Sequence, residues 1–310
     1  MNGSLNCRLR RAGTVAVAVL ALAACRADGR ETGTEFWIVR TSHIRTDPGE
    51  GVEANGFDYR RRDCRGIWTR SSHEAFFHPE APPPPTVVFV HGGFTDEAWA
   101  VHLAFGFSRV LSRYGGGRPV RLVLWRWPAE RSLCRLRPAL QVTLARADIE
   151  GKRLAQWLSQ FDHLPPPTLV GYSAGCRVVA GALSRYASGN EGDPGRFRAV
   201  LVAAATDAHI LLPGRYGGSP LDAVETLLVT RHRRDRVLRL YPRLERGPAP
   251  PAMGFAGVAC PWLLGPHRQR LEVLDLTQCI RGRHDFLNYL SAPPLAARIA
   301  DLVASTANHH

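Results

Sequence analysis

The chain has 310 residues, 45% of them hydrophobic, which excludes a disordered chain and suffices for one large domain or two small ones. Its net charge is +13, yet Lys152 is the only lysine and the arginines are scattered along the chain, so a general arginine bias explains the charge better than a polyanion-binding tail. No internal repeat occurs, and no Cys or His spacing fits a zinc site, so neither metal nor cofactor nor nucleic acid is expected.

Arg8, Arg10 and Arg11 precede an apolar run, Ala12 to Ala24, that is too short to span a bilayer, which is the layout of a secretory signal. The run closes on Leu22-Ala23-Ala24-Cys25, which resembles a bacterial lipobox. That resemblance implies removal of residues 1–24, a diacylglyceryl group on the Cys25 thiol and a polar tether over residues 25–34. The mature protein is then expected in the cell envelope, lipid-anchored and exported, with Arg26 favouring the outer membrane. Cys176 reads as a buried thiol, while Cys64, Cys134, Cys260 and Cys279 allow three disulfide pairings or none.

Phe36 to Val39 reads as a first strand, Phe57-Asp58-Tyr59 as the start of a hairpin partner and Ile67-Trp68-Thr69 as another short strand, with Arg60-Arg61-Arg62 as a solvated turn. Pro82 to Pro85 set the entry direction of Thr86 to Val90, a continuous apolar run expected of a strand covered on both faces. It ends in His91-Gly92-Gly93-Phe94. Glycines just past a strand let the backbone turn and present an N–H, so Gly93, with Phe94 second, is the expected donor to an oxyanion, and His91 is expected to brace the loop. A helix follows from about Asp96 to Tyr114, closed by Gly115-Gly116-Gly117, which lacks the Lys-Ser/Thr of a phosphate loop. Val120 to Trp125 is the next strand, and Trp125-Arg126-Trp127-Pro128 offers rings for the core or for an acyl pocket. Ala139 to Gln160 carries a long helical pattern that stops before Pro165-Pro166-Pro167.

Thr168-Leu169-Val170 then runs into Gly171-Tyr172-Ser173-Ala174-Gly175, and a helix-compatible run follows. Strand, tight turn and helix around G-x-S-x-G make a nucleophile elbow, in which crowding admits only small residues two positions either side of the serine. The turn lifts the Ser173 hydroxyl clear of the sheet and aims the Ala174 N–H at an incoming carbonyl oxygen. Ala199 to Ala205 and Thr226 to Thr230 are further strands, joined by a connection too short for a large lid domain. Leu271 to Leu276 is the last strand, followed by Gly282-Arg283-His284-Asp285-Phe286 and a helix from about Pro294 to Thr306. Apolar strands alternating with helices give an α/β class, a mainly parallel sheet with helices on both faces.

A serine hydroxyl is a poor nucleophile until a base takes its proton, and a neutral imidazole suits that task near neutral pH. His284, at the end of the final strand, has the expected place for the base. Two carboxylates can orient it: Asp235, a few residues past Thr230, and Asp207, at the end of the strand before; the position after the penultimate strand favours Asp235.

Val88-Phe89-Val90-His91-Gly92, the elbow from Gly171 to Val178, Arg234-Asp235-Arg236-Val237-Leu238-Arg239-Leu240 and Gly282 to Phe286 together resemble a bacterial α/β-hydrolase family of unknown function, esterase/lipase-like, with planctomycete-type members. The resemblance covers roughly residues 35–305 and departs at Cys176, where asparagine is common, and in the Pro/Gly-rich stretch 247–266. It implies an α/β-hydrolase fold and a hydrolytic mechanism, with Ser173, Asp235 and His284 as catalytic residues and Gly93 and Ala174 as oxyanion donors, and it supplies no substrate. The short connection without a large lid points instead to a site open to water and a small carboxylic ester. Amide cleavage and acyl transfer use the same residues, and a non-catalytic envelope protein on the same scaffold is the rival from another class.

Overall fold

The computed structural model describes residues 33–41, 56–129, 135–189, 194–214, 218–245 and 250–305. The signal segment, Cys25, Arg26, most of the tether and Cys134 lie outside the described residues.

Among the described residues nine strands form one sheet: β1 Glu35–Arg40, β2 Asp58–Arg62, β3 Trp68–Ser71, β4 Thr86–Val90, β5 Arg121–Arg126, β6 Thr168–Tyr172, β7 Phe197–Val202, β8 Val224–Arg231 and β9 Leu271–Asp275. Their order is β3-β2-β1-β5-β4-β6-β7-β8-β9, and only the β1–β2 and β2–β3 pairings are antiparallel. β4 to β7 are buried from end to end, as expected of mainly apolar strands covered on both faces, with Arg121, Arg126 and Arg198 buried among them.

The helices are α1 His73–Phe77, α2 Glu97–Tyr114, α3 Leu136–Leu158, α4 Gly175–Gly189, α5 Arg236–Leu244, α6 Met253–Ala256, α7 Phe286–Leu290 and α8 Pro293–Ser305, with a 3-10 stretch at Pro261–Arg270. α3 and α4 pack on each other, while α2 packs with α7 and α8. Aromatic side chains fill the two layers. Trp157 of α3 meets Trp125 of β5 and Phe76 of α1 at ring distances of 5.6 and 5.4 Å. Phe107 of α2 and Phe286 of α7 meet Phe89 of β4 at 5.7 and 4.6 Å. Trp125 and Trp127 are both fully buried, so their rings belong to the core and not to a pocket wall.

Two sequence expectations are corrected. Arg60, Arg61 and Arg62 lie inside β2, paired with β1 and β3, and the turn falls at residues 63–66. Guanidinium groups lie over aromatic rings on this side of the sheet: that of Arg61 is 5.6 Å from the Trp37 ring and that of Arg62 4.8 Å from Phe105. Asp63 makes the turn, its Oδ1 accepting from the N–H groups of Arg65 and Ile67 at 3.0 and 2.7 Å. β7 stops at Val202, short of the expected Ala205, because Ala203 takes a left-handed φ of 50° and gives its N–H to Thr230 Oγ1 at 2.9 Å. The chain thereby leaves the sheet and passes beside the serine, where Ala205 N–H donates to the Ser173 carbonyl at 3.2 Å.

The 3-10 stretch and the short helices α1, α5, α6 and α7 have no counterpart in the sequence reading, since one or two turns show no period. Asp235 and Asp285 cap α5 and α7 with their side chains. α6 packs on the chain leaving β7, with Gly254 N–H donating to the Ala204 carbonyl at 3.0 Å; a Cβ on Gly254 would lie 2.4 Å from Ala204 N. No helix among the described residues is long and apolar enough to cross a membrane.

Candidate active site

Ser173 sits directly past β6, between the parallel neighbours β4 and β7, with a left-handed φ of 53°. Such a backbone costs a non-glycine residue of order 1–3 kcal/mol, and the surroundings enforce it. A Cβ on Gly175 would lie 2.3 Å from the Val90 carbonyl oxygen and 2.6 Å from that of His91, and one on Gly171 would lie 2.9 Å from Cys176 Cα. Glycine at these two positions is therefore what lets β6, α4 and the β4 loop close around the serine.

His284 follows β9 and enters from the other side. Its Nε2 is 2.8 Å from Ser173 Oγ and its Nδ1 is 2.7 Å from Asp235 Oδ2. An ionised carboxylate only accepts, so Nδ1 carries the proton toward Asp235 and Nε2 is left as the acceptor for the serine hydroxyl. The carboxylate of Asp235 is fully buried, and each of its oxygens has two donors. Oδ1 accepts from the Val237 and Leu238 N–H groups at 2.9 and 3.0 Å; Oδ2 accepts from His284 and from the Tyr289 hydroxyl, each at 2.7 Å. Burial pushes the Asp235 pKa up, but the His284 contact and the other donors outweigh it and hold the carboxyl below its usual range. Burial likewise raises the Tyr289 hydroxyl, keeping it a protonated donor.

The loop carrying His284 is held at several points. Tyr172, the second residue of the elbow pentapeptide, donates its hydroxyl to the His284 carbonyl at 3.1 Å and stacks its ring 5.5 Å from the imidazole. A Cβ on Gly282 would lie 2.4 Å from the Arg234 carbonyl oxygen, so glycine allows the histidine loop to close on the acid loop. Tyr289 and Tyr172 were not singled out by sequence reasoning. For Tyr172 the signal is its place within G-x-S-x-G; for Tyr289 it is only its position on the short helix after His284.

The β4 loop completes the arrangement. His91 is buried, its Nδ1 donates to the Gly92 carbonyl at 2.9 Å, and its ring stacks on Trp127 at 5.7 Å. Burial, aided by the Arg126 charge, pushes its pKa down to about 3. Phe94 N–H donates to the Ala129 carbonyl at 2.6 Å, so it is already committed. Gly93 stands beside Ala174: a Cβ on the glycine would lie 3.6 Å from that of Ala174, and 2.8 Å from Thr143 Cγ2. Among the described residues neither the Gly93 nor the Ala174 N–H has a protein acceptor, which leaves two neighbouring donors open to an anionic oxygen.

Asp207, the alternative acid, does not reach His284. Its Oδ1 accepts from the backbone N–H of His209 at 2.7 Å and lies 3.0 Å from His209 Nδ1. Cys176 is buried against the Gly171 and Val202 carbonyls, 3.2 and 3.3 Å away, and burial raises its thiol well above the usual range. Cys64, Cys260 and Cys279 are free. Among the described residues no group of three or more His, Cys, Asp or Glu is placed to hold a metal ion.

A serine elbow after a central parallel strand, an acid after β8 and a histidine after β9 define the α/β-hydrolase fold. No protein-family model matches the chain, and no curated protein sequence does. Among solved structures, a Thermus thermophilus protein aligns over 86% of this chain and 100% of its own, at 15% identity and a TM-score of 0.46. A hyperthermophilic esterase from the archaeon Pyrobaculum calidifontis aligns over 81% of both chains, at 15% identity and a TM-score of 0.39. A thermophilic esterase from the planctomycete Thermogutta terrifontis, with butyrate bound, aligns over 74% of this chain and 85% of its own, at 13% identity and a TM-score of 0.37. Likenesses this low carry no argument, and the fold assignment rests on the strand order and the elbow.

Proposed function

We propose that the chain is a serine hydrolase acting on small carboxylic esters. The observation that carries this reading is the continuous path from a strained Ser173 through His284 to a buried, four-fold satisfied Asp235, with contacts of 2.8 and 2.7 Å. Ser173 Oγ attacks the ester carbonyl carbon while His284 Nε2 takes its proton. The carbonyl oxygen becomes anionic and is held by the Gly93 and Ala174 N–H groups. His284 gives the proton to the leaving alcohol as the C–O bond breaks, and an acyl-enzyme remains. Water, deprotonated by His284, then releases the acid and restores the serine. Asp235 stabilises the imidazolium in both steps without taking up a proton.

The rest of the reading goes with it. Residues 35–305 form the hydrolase domain, near the bacterial family that the four motifs resemble, and Cys25 carries a lipid that anchors the domain in the cell envelope through the tether at 25–34. Amide cleavage and acyl transfer differ from ester hydrolysis only in leaving group or acceptor, and a non-catalytic scaffold protein differs in having no turnover. The test is labelling of the full chain with a fluorophosphonate probe, beside Ser173→Ala and His284→Ala. Labelling at Ser173 that both variants lose supports the reading, and matched acyl esters, anilides and alcohol acceptors then separate the three reactions. A folded wild-type chain that never labels sinks it. Mass analysis of membrane-extracted protein reads the acylation of Cys25.

A further inference from the structure

Arg233, Arg234, Arg236 and Arg239 line, with Gly282, one hollow of about 350 Å³. All four are exposed, and among the described residues none of their guanidinium groups has an acidic partner or a hydrogen-bond acceptor. What sets them apart from other arginines unpaired among the described residues, such as Arg70 and Arg118, is that the four share one hollow; several arginines elsewhere are paired. Arg121 pairs with Glu35 at 3.0 Å, Arg153 with Glu150 at 2.6 Å, Arg177 with Asp148 at 2.8 Å and Arg298 with Glu272 at 2.5 Å.

Asp235, Asp275 and Asp285, the carboxylates next to this segment, each have partners of their own. Asp235 stands in the middle of the arginine run, but it is turned inward and both its oxygens are taken by α5, His284 and Tyr289. Asp275 gives one oxygen to Arg231 at 2.5 Å and the other to Thr277 at 2.9 and 2.5 Å, although it lines a neighbouring hollow with Arg233. Asp285 accepts from Asn288 N–H at 2.8 Å as the cap of α7. The first amides of α5 are likewise closed off by Asp235, so a ligand here meets side chains and not a helix end. Four like charges around one hollow repel each other, and a guanidinium fork matches the oxygens of a tetrahedral oxyanion in pairs.

We propose that this hollow is a binding site for a phosphate group, a phosphate monoester or diester oxyanion held by the four arginines. Ser173, His284, Gly93 and Ala174 do not line it, so the site is separate from the triad and does not rest on the hydrolase reading. It lies against the backs of the acid and histidine loops, where Gly282 closes on the Arg234 carbonyl, so an occupant ties the segment from Arg233 to Arg239 to the loop before His284. α5 also exposes Val237 and Leu240, 50% and 39% accessible, between and beside the arginines. A lipid-borne phosphate would use those side chains and a soluble one would not.

The test uses the full chain carrying Cys25→Ser, so that acylation plays no part, with and without Arg233→Gln, Arg234→Gln, Arg236→Gln and Arg239→Gln together. Its thermal midpoint is followed against sodium phosphate at ionic strength held constant with chloride. A saturable rise in the parent chain, lost in the fourfold variant, is the expected result. Single Arg236→Gln and Arg239→Gln variants each weaken the apparent affinity about tenfold, and they carry the comparison if the fourfold variant does not fold. Sedimentation with phosphatidylglycerol and phosphatidylcholine vesicles separates the sources. Arginine-dependent binding to the anionic vesicles alone assigns a lipid headgroup; a phosphate response without it assigns a soluble phosphate ester. The proposal is overturned if phosphate moves parent and variants equally and they sediment alike with both vesicles.

Discussion

His284 Nδ1 lies 2.7 Å from Asp235, and His209 Nδ1 lies 3.0 Å from Asp207. Both pairs follow the C-terminal ends of neighbouring strands, β8 and β7 supplying the acids. Their surroundings differ. Asp235 is 0% accessible and His284 12%, whereas Asp207 and His209 are 22% and 29% accessible. The buried carboxylate has two donors on each oxygen, and its imidazole reaches a serine through the other nitrogen. The half-buried carboxylate binds its neighbouring histidine within a local turn, where solvent partly screens the interaction. An Asp-His contact is therefore common chemistry, and a buried, shared carboxylate aimed through imidazole at a hydroxyl is the specific part.

Ser173→Ala and His284→Ala test the specific part most severely: ester turnover is expected to fall about 10⁴-fold or more in either variant, read as kcat on a soluble acyl ester. Asp235→Asn follows. The amide cannot hold the imidazole in the same tautomer, and kcat is expected to fall about 10⁴-fold with the fold intact by circular dichroism. Tyr289→Phe removes one donor from the buried carboxylate and is expected to cost about 1–3 kcal/mol of stability in a urea titration.

A third histidine sharpens the contrast from the other side, since His91 is buried with no carboxylate partner among the described residues and its Nε2 has no hydrogen bond there. Its pKa drops from 6.5 to about 3 on folding, so between those values the unfolded chain holds the extra proton. Stability should rise with pH across that window, by at most about 1.4 kcal/mol per pH unit from this residue. Urea midpoints for wild type and His91→Asn across the window read the difference, and equal slopes would refute it. The smallest effect is expected from Asp207→Asn, which should leave kcat unchanged; a loss comparable to that of Asp235→Asn would erase the distinction between the pairs.

Much of the scaffold was legible in the sequence because the relevant constraints are local. The apolar run at Thr86 to Val90 reads as a strand covered on both faces and Thr168 to Val170 as the strand entering the elbow, and the glycines around Ser173 mark a turn where a Cβ would strike a carbonyl oxygen. Where local rules competed with pairing, the sequence misled. The triple arginine reads as a solvated turn, but the guanidinium groups of Arg61 and Arg62 lie over Trp37 and Phe105, contacts visible only once β1, β2 and α2 are assembled. β7 ended early for a related reason, since Thr230 on the next strand captures the Ala203 N–H.

The sequence by itself determined the elbow, the alternating α/β order, and that His284 and one of two aspartates stand after late strands. Only the tertiary structure decided which aspartate meets the histidine, because Asp235 and His284 are 49 residues apart and approach only where the loops after β8 and β9 close, with Gly282 against Arg234. Tyr289, Tyr172 and the arginine hollow belong to the same class of feature. Turn chemistry depends on residues a few positions apart, whereas a buried carboxylate's environment depends on which distant segments the folded sheet brings to it.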